Sequence, residues 1–132
     1  MKMLRAVPAV AILICMFQGC ASMPTAAEMR EGLMTAAERY WSLRMEGKYK
    51  DTYELEDREG LPPSGDYQER VARMMKFTVS YSIREEVVEG NKGTVKMKVS
   101  LRLPDIPKPV GKEIHDSWVF KGGRWLHNFP PK

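Results

Sequence analysis

Cysteine and histidine are scarce in this 132-residue chain. The two cysteines, Cys15 and Cys20, fall within the first twenty residues, and the two histidines, His115 and His127, stand apart. No His-x-x-x-His or paired-cysteine spacing arises, so the pattern predicts no metal site and no cofactor. A Gly-x-Ser-x-Gly turn for a serine nucleophile is missing. Gly122-Gly123 opens no helix, so no phosphate-cradling loop is expected. Internal repeats and low-complexity segments are absent as well. The longest apolar run, Ala6 to Phe17 (AVPAVAILICMF), is about twelve residues, short of the roughly twenty that a spanning helix needs. The formal charge of +4 is too small an excess to argue for nucleic acid.

That short run follows the basic start Met1-Lys2-Met3-Leu4-Arg5, which is the pattern of a secretory signal. Phe17-Gln18-Gly19-Cys20 then resembles the lipobox of bacterial lipoproteins, with Phe17 standing where leucine is commonest. The resemblance implies cleavage after Gly19 and acylation of Cys20 with diacylglycerol and palmitate-type chains. Ala21, in place of an aspartate, implies the periplasmic face of the outer membrane. An ordinary signal cleaved nearby is the competing reading. Lipid-anchored, the mature chain would run from Cys20, its last cysteine, so no internal disulfide could form. Its length fits one domain. Its charge is uneven: fourteen acidic against ten basic residues from Cys20 to Gly90, then nine basic against three acidic from Asn91 onward. A solvated surface accounts for this more simply than a lipid- or glycan-binding face.

Residues 20–24 read as a tether. Thr25 and Glu28 form a capping box for a helix reaching about Glu46, with Met29, Leu33, Ala36, Ala37, Tyr40 and Leu43 as its buried stripe, widened by Trp41. Gly47 stops it. Tyr49, Tyr53 and Glu56 start a second helical pattern, and Leu61-Pro62-Pro63-Ser64-Gly65 breaks the chain. Asp66 with Glu69 suggests another cap, opening a helix that buries Tyr67, Val71, Met74 and Met75. From Phe77 the period becomes two. Phe77, Val79, Tyr81 and Ile83 share one face, and Val95, Met97, Val99, Leu101 and Leu103 share another, across a turn at Gly90-Asn91-Lys92-Gly93. The two faces meet only through an odd-numbered loop or a bulge, for which Glu85 or Glu86 is the candidate. Pro104, Pro107 and Pro109 exclude a central strand. Strands at Gly111–Lys121 and Arg124–Phe129 flank the Gly122-Gly123 hairpin.

Three helical segments followed by four antiparallel strands predict an α+β fold, with the helices on one face of a curved sheet. Tyr40-Trp41, Gly47-Lys48-Tyr49 and Tyr53-Glu54-Leu55, with the ending Asp116-Ser117-Trp118-Val119-Phe120-Lys121-Gly122-Gly123-Arg124-Trp125, resemble the cone-shaped nuclear-transport-factor-2-like superfamily. The likeness spans about Ala26 to Phe129 and implies a single domain over 25–132. Isomerases, dehydratases and non-catalytic binding modules share that fold, so it does not settle function.

One constellation could carry chemistry. The glycine hairpin sets Phe120 opposite Trp125, Trp118 opposite His127 and Asp116 opposite Phe129, all on one face. Asp116 and His127 become diagonal neighbours, an acid and an imidazole suited to proton transfer in a cone pocket lined by Tyr40, Trp118, Phe120, Trp125, His127 and Phe129. The blander reading makes His127 a hydrogen-bonding residue at the rim of the sheet. Asp57, Arg58 and Glu59 read as a solvated loop, and His115 as an outer-face residue. The expectation is a non-catalytic binding or interaction module whose partners are membrane lipid through Cys20 and a small apolar ligand or envelope protein. The alternative is a small isomerase- or dehydratase-type enzyme using Asp116 and His127. Lys96, Lys98 and Arg102 on the outer sheet face oppose close pairing, predicting a monomer or weak homodimer.

Overall fold

A computed structural model describes residues 23–131, so the signal-like segment and Cys20 lie outside the described residues. Helix α1 (Ala26–Met45) begins where Thr25 Oγ1 accepts from the Glu28 amide at 3.1 Å. It ends at Gly47, which adopts φ +74°, with Lys48 N donating to Leu43 O and Gly47 N to Arg44 O. This glycine-dependent stop reverses the chain into α2 (Tyr49–Tyr53). Helix α3 (Ser64–Met75) starts two residues earlier than its expected cap. Asp66 lies inside the first turn and does not cap, because Tyr67 N already bonds Pro63 O at 2.9 Å. Tyr67, Val71 and Met75, four apart, form its buried row; Met74 falls off that row and is exposed, against expectation.

Strands β1 (Thr78–Glu89), β2 (Lys92–Leu101), β3 (Val110–Lys121) and β4 (Arg124–His127) form one antiparallel sheet in that order. The fold is α+β, with α1 against the inner face. The β1–β2 turn contains only Gly90 and Asn91, since Lys92 already pairs with Glu89. The bulge needed to bring the apolar faces together sits between Ile83 and Glu85, one residue before the predicted place. Beyond it Ile83 faces Met97 and Tyr81 faces Val99. A second irregularity between Thr78 and Ser80 turns Val79 out to solvent, so Val79 does not share the inner face. The β3–β4 hairpin pairs Phe120 with Trp125 and Trp118 with His127, as the glycine turn dictates. It then ends. Phe129 does not reach a position opposite Asp116, because Pro130 and Pro131 supply no amide to prolong the ladder.

The interior is one cluster. Leu33, Ala37, Tyr40 and Trp41 of α1 meet Val95, Met97 and Val99 of β2 and Trp118 and Trp125 of the hairpin. Helix α3 closes the far side through Tyr67, whose ring packs against Tyr53 at 5.0 Å and Phe129 at 4.9 Å. On the outer face Lys96 pairs with Glu85 and His115 with Glu113, both in water.

Candidate functional site

His127 ends β4 at the centre of the molecule. It is 1 % exposed, which corrects the rim placement. Its Nδ1 lies 2.7 Å from Glu56 Oε2 and its Nε2 2.7 Å from Asp116 Oδ1. Asp116 arrives by strand alternation, two residues before Trp118 on the same face of β3. Glu56 arrives by a route that periodicity does not show. The chain leaves α2 at Tyr53, so Glu56 is not helical, and residues 55–57 run parallel to the end of β4. His127 N donates to Leu55 O at 2.9 Å, and Asp57 N to His127 O at 2.8 Å. Glu56 is thereby pinned beside the imidazole.

Every oxygen of both carboxylates has a partner. Asp116 Oδ2 accepts from the indoles of Trp41 (2.9 Å) and Trp118 (3.1 Å). Glu56 Oε1 accepts from the hydroxyls of Tyr40 (2.5 Å) and Tyr67 (2.8 Å), and Thr52 Oγ1 lies 2.9 Å from the latter. Tyr40 also stacks on the imidazole, ring centres 4.2 Å apart, while Trp118 meets it edge-on at 5.1 Å. Glu56 is 1 % exposed and Asp116 8 %.

The electrostatics follow from this enclosure. Burial alone would push the His127 pKa down, but the charge and hydrogen bond of Asp116, joined by Glu56, hold it above its ordinary value. Burial would likewise raise Asp116; the His127 charge and hydrogen bond, with help from Trp41 and Arg44, hold it below the usual carboxylate value. Burial pushes the Tyr40 hydroxyl well up, and Tyr67 up as well. The raised pKa favours the protonated ring, which in that form donates a charge-assisted hydrogen bond from each nitrogen. In that form the ring has no free lone pair to take a proton, and at 1 % exposure it meets almost no solvent.

A second cation enters the same interior. Arg44 is 3 % exposed, and its guanidinium lies over the rings of Tyr40 (4.8 Å) and Trp41 (4.9 Å). Its Nε and Nη2 make no hydrogen bond among the described residues. Sequence reading missed Arg44, Glu56, Thr52 and the hydroxyl of Tyr67. Arg44 had a signal: it stands four residues after Tyr40 and three after Trp41, on the stripe itself.

The aromatic residues expected to line one pocket divide between two places. Tyr40 and His127 are interior, and Phe129 lies under α3, where the Arg70 guanidinium covers its ring at 4.7 Å. Trp118, Phe120 and Trp125 line a groove of about 720 Å³ between the first half of α1 and the β3–β4 hairpin. Met29, Gly32, Ala36 and Leu55 complete its apolar part, with Glu28, Glu31, Arg39 and Arg124 around it. The cone interior is therefore filled, and the open space lies beside it. Asp57 is not simply solvated either, since Lys121 Nζ donates to both its oxygens at 3.0 and 3.1 Å. No group of three or more potential metal ligands occurs among the described residues.

No protein-family model matches the chain, and no curated protein matches it. Solved structures do. A SEC-C motif containing protein from Rhodopseudomonas palustris superposes with a TM-score of 0.55 at 14% identity, over 71% of this chain and 73% of that one. A Campylobacter jejuni protein described as an NTF2-like transpeptidase gives a TM-score of 0.55 at 13% identity, over 74% of this chain and 98% of its own. At such identities the likeness establishes architecture alone, and the architecture is nuclear-transport-factor-2-like.

Proposed function

We propose that the chain is the precursor of a cell-envelope lipoprotein, anchored through acylated Cys20 on the periplasmic face of the outer membrane. Its domain acts as a non-catalytic binding or interaction module. One observation carries the non-catalytic reading: both imidazole nitrogens of His127 are committed to buried carboxylates at 2.7 Å. The isomerase or dehydratase alternative needs Asp116 or His127 to meet a substrate, and Trp41, Trp118, Tyr40 and Tyr67 occupy the space around them. What supports a binding role is the groove, whose apolar wall suits a small apolar ligand or an apolar segment of an envelope protein.

Metabolic labelling with a fatty-acid analogue tests the anchor. Wild type should take label and fractionate with membranes; Cys20→Ala should do neither. Equal labelling of the two would overturn the lipoprotein reading. For the module, His127→Asn paired with Asp116→Asn should lose envelope function only in proportion to lost folded protein. Full folding with complete loss of phenotype would favour the enzyme.

A further inference from the structure

The groove has a floor that is hydrocarbon in character although two tryptophans build it. Trp125 Nε1 already donates to the Met29 carbonyl oxygen at 3.0 Å, and Trp118 Nε1 to Asp116 at 3.1 Å. Phe120 and Ala36 add only carbon. A polar ligand group placed on this floor would give up its hydrogen bonds to water and find no replacement. An unbranched aliphatic chain gives up nothing of the kind. The charges around the groove, Glu28 and Glu31 against Arg39 and Arg124, balance in sign and select no ionic ligand. Its volume of about 720 Å³ is that of a small-molecule site.

The groove's position points to one source for that chain. Pro24 lines it, and Cys20 stands four residues earlier. Four residues span at most about 14 Å, so a lipid on Cys20 starts within that reach of Pro24 and the groove. A tether this short gives its own lipid an effective concentration at the groove in roughly the millimolar range. We infer that the groove seats one acyl chain of the lipid on Cys20, the remaining chains staying in the bilayer. This rests on the lipoprotein reading above. It makes the groove part of the anchor and turns the hairpin end of the domain toward the membrane.

The test uses the full-length precursor in bacteria fed a fatty acid that carries a diazirine near its methyl end. After irradiation, cross-links are mapped by mass spectrometry. Label should sit on Cys20, with intramolecular cross-links to Met29, Trp118, Phe120 or Trp125. Gly32→Phe and Ala36→Phe should each fill the groove and abolish those cross-links while keeping the label. A Cβ at Gly32 meets Trp125 at an ordinary van der Waals distance of 3.5 Å, and circular dichroism checks that each variant folds. Labelled Cys20 with cross-links only to other lipids or proteins would overturn the inference and leave the lipoprotein reading intact. No label on Cys20 would overturn both. Cross-links in the groove that persist in both folded variants would also overturn it.

Discussion

Two pairs of residues on the β3–β4 hairpin, neighbours on the same face, differ in how fully they are enclosed. Trp118 and His127 are each 1 % exposed, although Trp118 also touches the groove, while Trp125 is 6 % exposed and Phe120 half-buried along it. The strands are the same, and the difference comes from α1. Above the first pair the helix presents Tyr40, which stacks on His127 and meets Trp118 at 5.5 Å. Above the second it presents Gly32 and Ala36, which leave space. An aromatic sheet face thus becomes closed core or open groove according to the size of what covers it.

The comparison can be broken at several points. The largest effect should come from Trp118→Ala. Truncating a buried aromatic costs about 3–5 kcal/mol, out of a total of about 5–15 for a domain, and here Asp116 also loses a donor. Urea denaturation of purified protein would read this. His127→Ala should cost nearly as much, about 3–5 kcal/mol, because Glu56 and Asp116 would be left buried without their shared cation. Trp125→Ala should cost less, under about 3 kcal/mol, since one side of its ring already borders the groove and part of the space left behind joins it. If Trp125→Ala proves as damaging as Trp118→Ala, the groove is core in disguise.

The pH dependence sharpens the same contrast. His127 has a raised pKa, so the folded state binds its proton more tightly than the unfolded chain does. The stability it contributes is complete below its ordinary value near 6.5 and fades as pH climbs through the raised one. Asp116 has a lowered pKa, so its contribution is present above about 4 and fades as pH falls through the lowered value. The thermal midpoint should therefore be highest between about pH 4 and 6.5 and decline on both sides. His127→Asn should remove the decline that sets in above about pH 6.5. The smallest effect should be that of Arg44→Met. Volume-conserving replacement in a core costs under about 1.5 kcal/mol, and two unpartnered N–H groups vanish with the guanidinium. A loss as large as that of His127→Ala would show that Arg44 balances the carboxylates more strongly than its geometry suggests.

Much of the architecture was legible because it is governed by short-range rules. The capping threonine, the stop at Gly47 and the glycine hairpin that fixes Trp118 opposite His127 each depend on residues a few positions apart. The need for a bulge in β1 followed from the parity of its apolar positions, though its place missed by one residue. Asp116 beside His127 followed from the hairpin register. Glu56 did not, because a parallel bridge between residues 71 apart leaves no periodic trace. Arg44 was passed over because a charged side chain on a buried stripe reads as an interruption. The division of the aromatic wall into interior and groove depended on the sizes of Gly32 and Ala36, which a polarity pattern does not weigh.

The bulge in β1 has a further effect at the margin of the sheet. β1 is the terminal strand, twelve residues long, with one row of backbone amides and carbonyls unused by any strand. Such a row is a template on which a second chain could build. Breaks between Thr78 and Ser80 and between Ile83 and Glu85 interrupt its spacing and increase its twist, and Arg84, Glu85 and Glu86 charge it. The irregularity that lets the interior close also denies neighbouring molecules a straight edge to polymerise on.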